Sequence, residues 1–265
     1  MSSSEFTEFL KVVLPGMGYQ WRRFDRRNIK RRVRSRMETL GIHELEKYTR
    51  LVRRDPFERA VLDSLLRLTI TRFYRNSWLW SDLGSLIPEV QKTLEQGEVL
   101  RIWSAGCGGG EEPFSLALLL DDLVHAGLLS NAWSILGTDS DQASLARARA
   151  GEYSWGSVRE IPGNLLDRWF EERNGLWVLS DVIRSMVEIR HHDLINTDPP
   201  GRYHVVFLRN SVLTYNTDEI QRKVLGRIRG CLLDPGYLVI GRTEKIPDGT
   251  GFEEVSKNVY KIIRL

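Results

Sequence analysis

The stretch "RIWSAGCGGGEEPFSLALLL", residues 101–120, constrains the fold more than any other part of the chain. It opens with an apolar run of strand length, turns through glycines at 106, 108, 109 and 110, and closes in an apolar helical segment. From about residue 98 onward the same rhythm repeats. "VLRIWSAG" is followed by helical 112–126, "WSILGTDS" by "DQASLARARAG", and "YHVVFLRNS" by the helix "DEIQRKVLGRIRGCL", with "MVEIRHHD" between. Alternation of this kind predicts a mostly parallel sheet covered by helices on both faces, a doubly wound α/β unit of Rossmann-like form. The last two runs, "GYLVIGRT" and "NVYKIIRL", are joined by a loop and predict an antiparallel hairpin at one edge. Residues 155–185 show no readable pattern.

The first 80 residues have a different rhythm. Segments near 5–14, 21–40, 43–53 and 56–68 carry apolar residues at helical spacing, with Ile29, Val33, Met37 and Leu40 as one stripe. Gly41 is expected to end that helix, and Asp55 with Pro56 to start another. We therefore expect a small all-helical domain over 1–80, preceding the α/β domain over 81–265. A composition of 42% hydrophobic and 28% charged residues is that of a globular protein. No run approaches the roughly 20 apolar residues that span a bilayer, and the N-terminus lacks the basic start of a secretory leader. Cys107 and Cys231 lie far apart without metal-ligand spacing, as expected of reduced thiols in a cytoplasmic protein. No metal site is expected. No apolar helix stripe is left over, so a monomer is expected.

In a doubly wound sheet the ligand lies beyond the carboxyl ends of the strands, which is where Gly106 and Gly108 fall. A dinucleotide would set its pyrophosphate on the amides of the following helix. Glu111 and Glu112 stand there instead, and two like charges about 4 Å apart cost on the order of 4 kcal/mol at an effective dielectric near 20. A cationic, phosphate-free nucleoside meets no such penalty, and S-adenosylmethionine fits that description. Asp139, at the end of "GTDSD", is the candidate for the ribose hydroxyls, while Asp141 caps the next helix. The acids also have a plainer reading, as first-turn residues favoured by the helix dipole.

Taken in order, these segments resemble the chemotaxis receptor methyltransferases, the CheR-type family, whose members esterify glutamate side chains on chemoreceptors with S-adenosylmethionine. The likeness covers "IKRRVRSRM", "LTITRFYRN", "WSAGCGGGEEPFSLA", "LGTDSDQASLARARAGEYS", "VVFLRNSVLTYN" and "PGYLVIGRTE", collinear through nearly the whole chain. The resemblance implies that Thr71 and Arg75 contact the cofactor, that Glu111 faces its amino-acid end and that Asp139 takes its ribose. It further implies that Asp193 and Leu194 lie beside the adenine, and that Asn210 and Ser211 match a pair after the fourth strand. Thr69 stands where the family usually has asparagine, Asp193 replaces another asparagine, "NSVLTYN" departs from the usual segment, and Arg242 replaces a histidine. These departures bear on the acceptor.

A glutamate acceptor is already ionised at neutral pH, so esterification needs orientation rather than a base. Arg209 and Tyr215 are candidates for orienting it; His191 and His192 read as rim residues. Residues 22–36, "RRFDRRNIKRRVRSR", carry nine basic side chains against Asp25. One reading is a solvated face. The other is docking of an acidic helical protein such as a chemoreceptor, which the resemblance implies for this domain. Nucleic acid would be attracted too, but no motif for it is present. The expected function is therefore S-adenosylmethionine-dependent O-methylation of protein glutamate, with S-adenosylhomocysteine as product. The alternatives are methylation of a small molecule or another side chain, and a non-catalytic sensor or scaffold that binds the cofactor.

Overall fold

The computed structural model describes residues 1–66 and 71–263. The chain forms two compact units, Met1–Leu68 with Thr214–Gln221, and Thr69–Leu213 with Arg222–Leu265. The division falls near residue 68 rather than near the expected 80. The helix that follows buries Leu79, Trp80, Leu83 and Ile87 in the core of the larger unit.

The smaller unit contains α1 (Ser3–Val13), α2 (Arg27–Thr39), α3 (Leu45–Arg54) and α4 (Pro56–Leu66). A capping box starts α1: the Ser2 hydroxyl accepts from Glu5 N, and the Glu5 carboxylate accepts from Ser2 N. The expected stripe on α2 is buried at Ile29, Val33 and Met37, but Leu40 lies beyond the last turn and is exposed. Gly41 follows in the left-handed conformation at φ +66°. Asp55 caps α4 through Phe57 N at 2.8 Å. The core gathers Phe6, Phe9, Leu10, Tyr48 and Leu62, and residues 214–221 join this unit where Tyr215 packs 5.4 Å from Phe24.

Beyond α4 the elements are α5 (Ser77–Lys92), β1 (Leu100–Ala105), α6 (Glu111–His125), β2 (Trp133–Asp139), α7 (Gln142–Ala150), β3 (Glu152–Tyr153), α8 (Trp155–Val158) and α9 (Gly163–Trp169). Then come β4 (Phe170–Arg173), β5 (Leu176–Leu179), α10 (Asp181–Ser185), β6 (Val187–His191) and β7 (Tyr203–Leu208). The chain closes with α11 (Val212–Tyr215), α12 (Asp218–Cys231), β8 (Leu232–Ile240), β9 (Phe252–Ser256) and β10 (Val259–Ile262). The main sheet runs β6-β2-β1-β7-β8-β10-β9, parallel from β6 to β8 and antiparallel thereafter. This is the doubly wound, mostly parallel sheet expected. The chain leaves β1 toward β2 and β6, then returns to β7 on the other side, so the switch in strand order lies between β1 and β7.

Two features exceed the sequence reading. The edge hairpin has an extra strand, β9, which precedes β10 in the chain and pairs outside it. Within 155–185, β4 and β5 join β3 in a separate three-stranded antiparallel sheet ordered β3-β5-β4.

Candidate functional site

The turn after β1 is bent by left-handed glycines. Gly106 lies at φ +84° and Gly110 at φ +88°, a region other residues enter only with strain. Space is short as well: a Cβ would stand a tight 3.2 Å from Ser211 Cβ at Gly106 and would collide with the Phe114 ring, 2.6 Å away, at Gly110. The turn is tied to β2, since Gly106 N and Cys107 N both donate to Thr138 O at 2.8 Å. From β3, the Tyr153 hydroxyl donates to Gly109 O at 2.9 Å.

Asp139 closes the other side. One carboxylate oxygen accepts from Gly108 N at 2.9 Å and the other from Asp141 N at 2.8 Å. Each oxygen keeps capacity for another donor, so the carboxylate both braces the glycine turn and can receive a pair of hydroxyls. Asp141 caps α7 through Ser144 N at 3.0 Å, as expected.

The two acids at the start of α6 have opposite fates. Glu112 accepts from Ser104 Oγ at 2.8 Å and pairs with Arg209 Nη1 at 2.8 Å. Its charge is compensated within the fold, so only Glu111 carries the argument against a pyrophosphate. Glu111 is 2% exposed. Burial raises its carboxyl above the ordinary range, opposed by its backbone hydrogen bond, the Arg147 charge, and hydrogen bonds with the Thr71 and Ser157 side chains. Its Oε2 is buried without a hydrogen-bond partner. A desolvated, unsatisfied carboxylate oxygen is costly, and a cationic ligand group is what relieves it.

Arg209 is buried. Besides Glu112 it donates from Nη2 to Arg75 O at 3.1 Å and to Asn76 Oδ1 at 3.0 Å. It thus braces segment 71–76 against the start of α6. Tyr215 belongs to the helical unit. Asp193 spends its carboxylate on its own loop, accepting from Ile195 N, Asn196 N and Asn196 Nδ2. Although burial acts to raise it, these hydrogen bonds hold it below the usual range. Leu194 beside it is half-buried. Asn210, at φ +53°, donates its backbone N–H to Glu244 Oε2 at 3.0 Å, and the same oxygen accepts from Gly241 N at 2.6 Å. Ser211 Oγ is buried without a partner, facing Gly106 across the strand switch.

Gly106, Gly108, Glu111, Asp139, Thr71 and Ser211 are therefore brought together at the carboxyl end of the sheet. Thr69 lies outside the described residues. His192 uses Nε2 against Asp198 O at 2.9 Å and sets its ring edge-on to Trp103, centroids 5.6 Å apart. The sequence reading missed Ser157 and Arg147, which reach Glu111 from other elements, and Tyr153, which steadies the turn. Arg147 and Tyr153 both stood inside the quoted "LGTDSDQASLARARAGEYS", whereas Ser157 lay outside every quoted motif. Among the described residues no group of three or more His, Cys, Asp or Glu is placed to hold a metal ion. No helix among them is long and apolar enough to cross a membrane.

The residues present fit S-adenosylmethionine: the Asp139 carboxylate keeps accepting capacity for ribose hydroxyls, Glu111 Oε2 is a buried carboxylate oxygen without a partner, and both stand beside the glycine turn that follows β1. Comparison with known proteins agrees. Residues 69–261 match the family model described as CheR methyltransferase, SAM binding domain. Chemotaxis protein methyltransferase 1 of Pseudomonas aeruginosa is 33% identical over 223 residues, covering 81% of this chain and 80% of its own. Chemotaxis protein methyltransferase Cher2 of Pseudomonas putida is 30% identical, covering 81% and 80%. The chemotaxis protein methyltransferase of Listeria innocua is 27% identical over 261 residues, covering 98% and 97%.

Proposed function

The chain belongs to the CheR methyltransferase family and works with S-adenosylmethionine, and from that premise we propose that it forms methyl esters on glutamate side chains of an acidic helical protein of the chemoreceptor kind. The observation that carries the cofactor's placement is the buried, unpartnered Oε2 of Glu111 at the start of α6. In this reading Glu111 holds the ammonium group, Asp139 the ribose hydroxyls, and Thr71 orients Glu111. Arg75, Leu194, Asn210 and Ser211 stand where the family resemblance puts further contacts. Bound there, the cofactor supplies an electrophilic methyl group.

The chain's own task is then geometric. A glutamate acceptor has an ordinary pKa near 4.3 and is ionised at neutral pH, so no residue need remove a proton. Both opposite charges diminish as the new bond forms, so a site that aligns the reactants and excludes water suffices. Arg209 acts here as a positioning residue, because its hydrogen bonds to Glu112, Arg75 and Asn76 fix the segment that carries Thr71.

The acceptor class rests on the helical unit. Of the nine basic side chains in 22–36, Arg36 turns inward to Glu58, with contacts of 3.1 and 2.7 Å. Seven others, at 22, 23, 26, 27, 31, 32 and 34, are exposed. The stretch's one acid, Asp25, accepts from the Thr7 hydroxyl at 2.7 Å. An exposed basic surface attracts an acidic helix and makes the encounter salt-dependent. The test is incubation with labelled cofactor and acidic receptor helices. A base-labile methyl ester on glutamate is expected, and transfer to a different chemical group would reject the assignment.

A further inference from the structure

A second cleft opens at the other end of the main sheet. Arg202 immediately precedes β7, Leu232 begins β8 and Ile262 ends the antiparallel β10, and all three line it. The glycine turn, by contrast, follows the carboxyl end of β1, and Asp139 is the last residue of β2. It is an open cleft of about 840 Å³, comparable in volume to the roughly 300–1,000 Å³ of small-molecule sites.

Its chemistry is one-sided. Among the described residues Arg202, Arg222 and Arg229 line it, and no Asp or Glu does. Arg222 and Arg229 are held by the fold: Arg222 Nη1 donates to Asp248 O at 2.7 Å, and Arg229 Nη2 to Ile263 O at 3.0 Å. Arg229 Nε is buried without an acceptor. Three guanidinium groups around one cleft raise its potential, which favours a polyanion. Guanidinium forks suit phosphate oxygens in particular.

The helix beside the cleft departs from ordinary helix composition in a way that fits. Gly226 and Gly230 stand one turn apart on the face of α12 that carries Arg222 and Arg229. Each costs about 1 kcal/mol relative to alanine in a helix. Neither is required by packing, since a Cβ at either position would meet nothing within 4 Å. The helix dipole accounts for an arginine in the last turn, but not for two glycines on that face. Leaving them bare keeps the space between the arginines open above the apolar side chains of Leu232 and Ile262.

We propose that this cleft is a second ligand site, for a phosphorylated nucleotide whose phosphates lie among Arg202, Arg222 and Arg229 and whose ring lies over the glycines and the apolar floor.

The test is calorimetry on the full chain saturated with S-adenosylhomocysteine, which keeps the probes out of the first site. GDP, pyrophosphate and guanosine are the three probes. GDP is expected to bind more tightly than pyrophosphate, and guanosine not measurably. G226L should weaken GDP at least tenfold while thermal stability holds or rises and S-adenosylhomocysteine affinity stays unchanged. R202Q, at an exposed position, should weaken GDP several-fold and flatten its salt dependence. Failure of GDP to bind, or GDP affinity indifferent to both substitutions, would overturn the site. Equal affinity for GDP and pyrophosphate would overturn the nucleotide assignment.

Discussion

Replacing Glu111 by glutamine separates the cofactor's charge from its shape. The amide is nearly isosteric, keeps an oxygen for the Thr71 and Ser157 side chains, and removes the buried charge. Because the carboxylate in the free protein is desolvated with Oε2 unpartnered, the unliganded fold should gain stability at neutral pH. The sign follows from linkage. Burial holds the folded pKa above the unfolded one, so ionised Glu111 destabilises the fold above its folded pKa. That penalty fades as pH falls through the folded value toward the unfolded one. E111Q should abolish this slope. Binding moves the other way: an ammonium favours the ionised carboxylate, so wild-type affinity should drop as pH falls through the raised pKa of the free protein. A hydrogen bond to a charged group contributes about 1.5–3 kcal/mol, so E111Q should weaken S-adenosylhomocysteine by about ten- to a hundredfold. Methylthioadenosine lacks the amino-acid tail and should bind both proteins alike. Calorimetry with the two ligands between pH 5 and 8 reads all of this. Equal loss of both ligands, or unchanged affinity for S-adenosylhomocysteine, would refute the placement of the cation at Glu111.

Asp139→Ala should weaken S-adenosylhomocysteine and methylthioadenosine together, by about 1–3 kcal/mol, because both carry the ribose; a loss confined to the tailed ligand would contradict the ribose role. In the helical unit, Glu58 is buried and accepts from Arg36 and from the Tyr48 hydroxyl at 2.9 Å. Glu58→Ala strands both donors and should cost about 3 kcal/mol in urea unfolding. That is the low end for a broken buried pair, because the Arg36 side chain keeps 23% of its surface exposed. Charge reversal at Arg27 and Arg31 together should slow methylation of acidic receptor helices at low salt, with the deficit shrinking as salt rises and S-adenosylhomocysteine affinity untouched. A deficit independent of salt would argue against electrostatic docking.

The parts of the fold that could be read from sequence are those whose burial leaves a pattern. All six residues of β7 are buried, as are five of six in β1, and such runs stand out as apolar blocks. β9 and β4 escape notice for the opposite reason: each is an exposed ribbon with a single residue turned inward, and its sequence resembles a loop. The site divides along another line. The glycine turn and Asp139 are legible because their constraints are local, set by backbone conformation and by hydrogen bonds between adjacent strand ends. Glu111 and Glu112, neighbours in the same helical turn, look equivalent in the sequence and are not. What distinguishes them is Arg209, 97 residues away from Glu112, and the Ser157 side chain brought in from α8. A motif records which charges are present at a helix start. Whether a charge is available to a ligand depends on partners that folding delivers from elsewhere, and here it delivers a guanidinium to one acid and leaves an oxygen of the other unmatched.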